Sequence, residues 1–413
     1  MAYHVLNEAK RCLNCKKPMC VQGCPIHTPI PNMIRTLLDG DIDAAGKMLF
    51  ENNPLSLICS LICNHENQCE GHCVLNRKGS PVHASYIENY VSNYYFDRLE
   101  FGDIKKNGKK VAIIGSGPAG ITIAIILARR GYDITMFEGK EQIGGVLRYG
   151  IPEFRLPKSI LDRYKEKLYE LGIKIRPNTL VGGGIKIDDL FRDGYKAVFI
   201  GIGVWRPNTL HIKGESLGNV HYAINYLTNP DVYRLGEKVN IIGAGNSAMD
   251  VARTALRHGA REVTIYSRHD YFAASEHEVN YAKLEGVRFK MHIEPVEIVD
   301  DGVIFAELEC DGKGHLSRIP GTEHLEKADS TIIAISQGAD NMLVANTDGL
   351  DVTDRGLLVT NTFGQTTRDG IFASGDVVNG ARTVVEAVKY SKLVADAIDE
   401  YIQGLGEEPE PKE

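Results

Sequence analysis

The fold is decided by residues 110–139, KVAIIGSGPAGITIAIILARRGYDITMFEG. An apolar run, VAII, leads into a glycine-rich turn. A long apolar segment of helical length follows, and then a second short apolar run ending in Glu138. Strand, turn, helix and strand in that order are the opening of a doubly wound parallel sheet. The turn carries G-x-G-x-x-G at Gly115, Gly117 and Gly120, with Pro118 and Ala119 between them. A lone pattern of this kind is weak, but here it sits between a strand and a helix, and an acid follows at the distance such units use. The glycines allow a tight turn and let backbone N–H groups approach a pyrophosphate at the helix N-terminus. Glu138 can accept hydrogen bonds from an adenosine ribose.

The same order returns at 238–270, KVNIIGAGNSAMDVARTALRHGAREVTIYSRHD. Its turn holds Gly243, Ala244, Gly245, Asn246 and Ser247, with Ala248 in the third glycine place. No acid closes its second strand; Ser267 and Arg268 stand there. Two such units in one chain predict a flavin dinucleotide in one and a nicotinamide dinucleotide in the other. Residues 367–401 predict a further strand, a Gly-Asp turn at Gly375 and Asp376, and a long helix from Thr383 and Val384. Asp376 can bond a ribityl hydroxyl, and the helix start suits the electron-rich edge of a reduced flavin. With the flavin taking up hydride, no Ser/His/Asp triad or carboxylate pair is required, and none stands out.

The N-terminal part has a different texture. RCLNCKKPMCVQGCP, residues 11–25, holds Cys12, Cys15, Cys20 and Cys24; CSLICNHENQCEGHC, residues 59–73, holds Cys59, Cys63, Cys69 and Cys73. Cys310 stands alone, so the second nucleotide unit has no C-x-x-C exchange site. The first run is close to the C-x2-C-x2-C-x3-C-P run of bacterial ferredoxins. Eight clustered thiols predict two four-iron clusters. Zinc competes, since four cysteines also bind it, but a neighbouring flavin gives a redox metal a use and zinc none. By the ferredoxin rule the cysteine before the proline serves the other cluster. Cys12, Cys15 and Cys20 then share one cluster, and Cys24 joins the second. His27, His65 and His72 read as surface or neighbouring residues, and Trp205 as packing.

The chain has 413 residues, 24% charged and 43% hydrophobic, with a net charge of -7. That balance gives no sign of a nucleic-acid partner. The longest apolar run, 121–128, is too short to span a bilayer, and the N-terminus shows no signal pattern, so a cytoplasmic protein is expected. The reading divides the α/β chain into an all-helical iron–sulfur domain at 1–105 and an FAD domain at 106–237 and 345–413. A Rossmann-like NAD(P) domain is inserted at 238–344. The tail from 404 is expected to lack order.

Taken together, both cysteine runs, GSGPAG, GGVLRYGIPEFRLPK (144–158), GAGNSAMDVA, GQTTRDGIFASGDVV (364–378) and TVVEAV (383–388) resemble the flavin and iron–sulfur subunit family of NADPH-dependent glutamate synthase. The same module resembles the N-terminal part of dihydropyrimidine dehydrogenase and the large subunit of electron-bifurcating transhydrogenases. The resemblance implies flavin contacts at Arg155, Gly145, Val146, Leu147 and Val181. It implies Cys73 as fourth ligand of the first cluster. For the second it implies Cys63, Cys69 and Glu88 beside Cys24, with Cys59 a free buried thiol. Ser336 departs from the family, which has glycine there. Relatives that use NADPH have two adjacent basic residues where this chain has Ser267 and Arg268, so NADH is the expected coenzyme. The implied function is transfer of electrons from NADH or NADPH through FAD and two [4Fe-4S] clusters to a partner subunit of dihydropyrimidine dehydrogenase or glutamate synthase type. The competing readings are a ferredoxin:NAD(P) oxidoreductase or transhydrogenase subunit, and a non-catalytic assembly protein.

Overall fold

The computed structural model describes residues 2–311 and 314–405. Most of the expected disordered tail therefore lies outside the described residues. The chain forms two compact units. The first takes in 1–147, 155–204 and 339–413; the second takes in 148–154 and 205–338.

In the first unit the N-terminal part is helical. Helix Ile30–Leu38 buries Ile30, Met33, Ile34 and Leu37, an i, i+3, i+4, i+7 stripe. Asp41 caps the next helix, Ile42–Asn52, by accepting the Ala44 N–H at 2.8 Å. This helix packs on helix Ala84–Arg98. A Cβ at Gly46 would overlap the Tyr95 ring, so the glycine sets the approach of the two helices.

The expected parallel sheet follows. Its strand order is Ile371–Ala373, Tyr195–Ile200, Lys110–Ile114, Asp133–Phe137, Lys174–Arg176, all parallel. The central strand is buried over Val111–Ile114, as a strand covered on both faces must be. Helix Pro118–Arg129 is apolar nearly all round and packs against the 21-residue helix Val384–Gly404.

The second unit has a similar five-stranded parallel sheet, with its edge strand coming first in sequence and not last. Its strand order is Val220–Tyr222, Ser330–Ile333, Lys238–Ile242, Glu262–Tyr266, Arg288–Lys290, again all parallel. An antiparallel meander of Ile293–Val299, Gly302–Cys310, Leu316–Arg318 and His324–Lys327 is added to it. Tyr266 stacks on Phe305 with ring centroids 4.1 Å apart and ties the meander to the sheet.

The compact units group the chain in their own way. The first unit shows no separation at 105. Within the segment 101–110 the Asn107 N–H donates to the Gly131 carbonyl at 2.9 Å, so it is fastened to the sheet layer. The second unit begins at 205 and not at 238, because strand Val220–Tyr222 pairs with Ser330–Ile333 in the same sheet. It also recruits 148–154. Phe154 is covered by the guanidinium groups of Arg253 and Arg257, 4.5 and 4.0 Å from its ring centroid. Arg253 is itself buried and paired with Glu278 at 2.6 Å and Glu285 at 2.9 Å.

Candidate cofactor sites

In the first turn Gly115 has φ 96°. A Cβ there would come within 2.6 Å of the Gly201 carbonyl, and one at Gly120 would overlap the Gly115 carbonyl. Gly117 differs: the nearest atom to a Cβ would be Gly145 Cα at 4.0 Å, so this face of the turn is open. Gly145 arches over it with φ 52° and could carry no side chain, since a Cβ would lie 2.8 Å from Gly117 Cα. The Gly144 N–H donates to the Ser116 carbonyl at 2.9 Å and fixes the arch. Behind it Val146 opens the short helix Val146–Tyr149, Leu147 is buried, and Lys158 Nζ donates to the Leu147 carbonyl at 2.9 Å. Pro118 is the first helical residue. A turn with backbone donors and an open, side-chain-free face at Gly117 fits a dinucleotide pyrophosphate.

Glu138 is buried and held in place. It accepts from the Ser116 N–H at 3.0 Å, from the Ser116 hydroxyl, and from the Lys140 N–H at 2.8 Å. Gly375, at φ 80°, would bring a Cβ to 3.2 Å from Ala119 Cβ, so Asp376 starts its short helix close to the turn. Asp376 accepts the Arg382 N–H at 3.2 Å; burial pushes its carboxyl up to about 6. Thr383 caps the long helix, its N–H and hydroxyl both donating to Glu386 at 3.1 and 2.6 Å, and Val384 is the first residue inside. The Val181 side chain is buried. It packs in the core beside Phe137 and Leu343. Arg155 is half-buried where the chain re-enters the first unit.

The second turn repeats the geometry. Gly243 has φ 123° and lies against the Ala334 carbonyl; a Cβ on Gly245 would meet nothing within 4 Å. Ala248 is fully buried where the first turn has Gly120. The segment 272–275 closes beside the turn: the Ala274 N–H donates to the Ala244 carbonyl at 3.1 Å, and the Ser275 N–H to Asn246 Oδ1 at 2.9 Å. Ser247 is half-buried. Arg268 is exposed and pairs with Glu294 at 3.0 Å; Arg318 pairs with the same carboxylate. No local motif marks Arg318, which is 50 residues further along and brought in by the meander. Ser336 has φ 72°, the left-handed geometry that suits the family's glycine.

The thiols fall into two neighbourhoods. Cys12, Cys15, Cys20 and Cys73 line one cavity with Met19, Ile30 and Ile34, and Cys69 also reaches its wall. Burial, with Cys15 and Cys73 nearby, raises Cys12; burial, with Cys73, Cys12 and Cys15 nearby, pushes Cys20 up to about 11. The second neighbourhood gathers Cys24, Cys59, Cys63, Cys69 and Glu88. Cys63 is raised by its hydrogen bond to Cys59, by burial, and by the nearby Cys59, Glu88 and Cys69; Cys69 is raised by burial, Glu88, Glu70 and Cys24. Glu88 is buried, and burial with the Glu70 charge pushes it up to about 8. Both candidates for the last ligand, Cys59 and Glu88, thus lie beside Cys63. Among the described residues no three His, Cys, Asp or Glu side chains converge to hold a single ion; the first four thiols ring a cavity, a shape that fits a multi-iron cluster. His27 and His72 are exposed and bond to the carbonyls of Val21 and Gln68.

The profile of the pyridine nucleotide-disulphide oxidoreductase family matches residues 109–391. The chain belongs to this family. A second profile, dihydropyrimidine dehydrogenase domain II, 4Fe-4S cluster, matches residues 2–99. The small chain of glutamate synthase [NADPH] from Escherichia coli is 33% identical, over 96% of this chain and 91% of its own. The NAD-dependent dihydropyrimidine dehydrogenase subunit PreT of the same organism is 32% identical, over 97% and 94%. Among solved structures, Mycobacterium tuberculosis FprA in complex with NADPH aligns with a TM-score of 0.60 at 18% identity, over 72% of this chain and 85% of that one, and shows the shared fold. As a pyridine nucleotide-disulphide oxidoreductase with a 4Fe-4S domain, the protein is an NAD(P)H-dependent FAD and iron–sulfur enzyme. Among the described residues no helix is long and apolar enough to cross a membrane.

Proposed function

We propose that this protein is the NAD(P)H-oxidising subunit of a two-component cytoplasmic enzyme, working with a separate partner of the glutamate synthase or dihydropyrimidine dehydrogenase type. When bound, FAD exchanges a hydride with the nicotinamide and single electrons with two four-iron clusters, which carry them towards the partner. The residues of this chain bind and orient. The turns at Gly115 and Gly243 offer N–H groups to the two pyrophosphates. Glu138 and Asp376 anchor ribose and ribityl hydroxyls, and Arg155 lies at the flavin. Cys12, Cys15, Cys20 and Cys73 hold one cluster. Cys24, Cys63, Cys69 and Glu88 hold the other, with Cys59 free.

One observation carries this reading. The second thiol neighbourhood lies against helices of the flavin half, in the same compact unit. Tyr164, in helix Lys158–Glu170, lies near Cys59, and its hydroxyl donates to the Pro54 carbonyl at 2.8 Å. Lys392, in helix Val384–Gly404, feels the Cys24 charge and donates to the Asn52 carbonyl at 2.6 Å. Around them Arg129 pairs with Glu51 at 2.6 Å and Arg163 with Asp97 at 2.7 Å. Electron transfer requires redox groups held in fixed positions, and these contacts fasten the two halves to each other.

The isolated holo-chain is expected to reduce an artificial dye with NADH, and to co-purify from its host with a second subunit that carries the final substrate site. A folded, flavin-loaded chain that oxidises neither NADH nor NADPH in the presence of dye contradicts the reading. For the ligands, Glu88→Ala should lose one cluster by iron content and electron paramagnetic resonance, while Cys59→Ser keeps both. The reverse pattern would assign Cys59.

A further inference from the structure

Between the second thiol neighbourhood and the flavin half runs a chain of donors. Lys392 Nζ donates to Asn52 at its backbone carbonyl, 2.6 Å, and its side-chain oxygen, 3.3 Å. An ammonium only donates, so it turns the Asn52 amide oxygen towards itself and the amide nitrogen away. That nitrogen donates to Thr28 Oγ1 at 3.3 Å. As a thiol, Cys24 Sγ donates to Thr28 Oγ1 at 3.3 Å. The Thr28 oxygen already accepts from Asn52, so its own O–H is free to donate to Cys24 once that sulfur is a thiolate. Every bond then points the same way, from the cation to the sulfur. The sulfur end lies out of water, with Cys24 8% and Thr28 4% exposed.

We propose that Lys392, Asn52 and Thr28 form a polarised relay that raises the reduction potential of the cluster held by Cys24. This rests on the ligand reading above. Hydrogen bonds to cluster sulfurs and nearby positive charge stabilise the reduced, more negative form, and they do so more strongly where water is excluded. Lys392 itself touches no ligand and acts through the two side chains between, so it is a positioning residue. Burial lowers its ammonium from the ordinary lysine value, while Asp396 and Cys24 act in the opposite direction. Asp396 also pairs with Arg130 at 2.5 Å, which limits how far it offsets the Lys392 charge. None of the three residues stood out in the sequence, where they are separated by 24 and 340 positions.

The test is a redox titration of the holoenzyme followed by electron paramagnetic resonance, with iron content measured alongside. Lys392→Met and Thr28→Val should each move one and the same midpoint to more negative potential, with iron content unchanged. Lys392→Arg and Thr28→Ser should restore it. The double variant should shift no further than the larger single one, because the links act in series. Unchanged midpoints in iron-replete Lys392→Met or Thr28→Val overturn the relay, and so do shifts that fall on different clusters. If Lys392→Met does not fold, Thr28→Val carries the test alone. Cys24→Ser separates this from the ligand reading: loss of one cluster keeps Cys24 as ligand whatever the relay does, and retention of both removes the premise.

Discussion

The two parallel sheets present the same turn with different contents. At Gly115 and Gly243 the chain takes the same left-handed geometry, with φ 96° and 123°, and in both the next strand's carbonyl, from Gly201 or Ala334, blocks a side chain. Gly117 and Gly245 both leave the face of the turn open. On the proposed reading these shared features answer to a shared demand, backbone N–H groups offered to a pyrophosphate. The differences lie where a ligand's other parts would be. The end of the second strand is Glu138 in one sheet and Ser267 followed by Arg268 in the other. The edge strand Ile371–Ala373 leads to the Asp376 carboxyl, whereas Val220–Tyr222 runs straight into a helix. The lesson is that the turn marks the class of ligand and the strand ends mark which member of the class.

The third position of the turn breaks the likeness most sharply. Gly120→Ala would drive a Cβ into the Gly115 carbonyl, backbone against backbone. We expect loss of bound FAD and a destabilisation of about 3 kcal/mol or more. Ala248→Gly in the other turn should cost about 1 kcal/mol, the helix propensity difference. FAD content and urea midpoints of the two variants measure the contrast.

Asp376 sharpens it next. In the folded, flavin-free chain this carboxyl keeps its proton up to about pH 6, against 3.8 as a reference. Between those values the folded state holds more proton than the unfolded one, so stability falls as pH rises through that window, by about 3 kcal/mol at most. Asp376→Asn removes the effect. The flavin-free variant should exceed the parent in urea midpoint at pH 7 and approach it towards pH 4. It should also bind FAD more weakly, having lost an anionic acceptor.

Much of this was legible in the sequence, and for a physical reason. Glycine turns and cysteine runs are local patterns whose chemistry is set within a few residues. What was not legible depends on contacts between distant segments. Phe154 belongs to the second unit because Arg253 and Arg257, about a hundred positions later, cover its ring. Arg318 reaches Glu294, the partner of Arg268, only because the meander folds back.

A smaller effect concerns the coenzyme. Glu294 offsets part of the positive charge of Arg268 and Arg318, which fits a preference for NADH. Arg268→Ala should lower kcat/KM for NADPH about tenfold, one charge-assisted contact, and leave that for NADH within about twofold. Steady-state kinetics with both coenzymes gives the ratio.

The smallest contrast is at a pair of equivalent backbone positions. Gly203 has φ 73° and Ser336 φ 72°, each two residues after the carbonyl that blocks its turn. Serine tolerates that geometry poorly. Ser336→Gly should raise stability by about 1 kcal/mol or less, because the added freedom of the unfolded chain offsets part of the relieved strain. Gly203→Ser should lower it by a similar amount, both read from chemical denaturation.

The central claim is that one chain joins an NAD(P)H-reducible flavin to two four-iron clusters. Anaerobic addition of NADH to the holoprotein, followed by absorbance and electron paramagnetic resonance and with iron and sulfide counted on the same sample, tests it most directly. The account predicts about eight irons and about eight sulfides per FAD, with flavin bleaching followed by a signal from a reduced cluster. Zinc in place of iron, or a bound flavin that both NADH and NADPH leave oxidised, would contradict it.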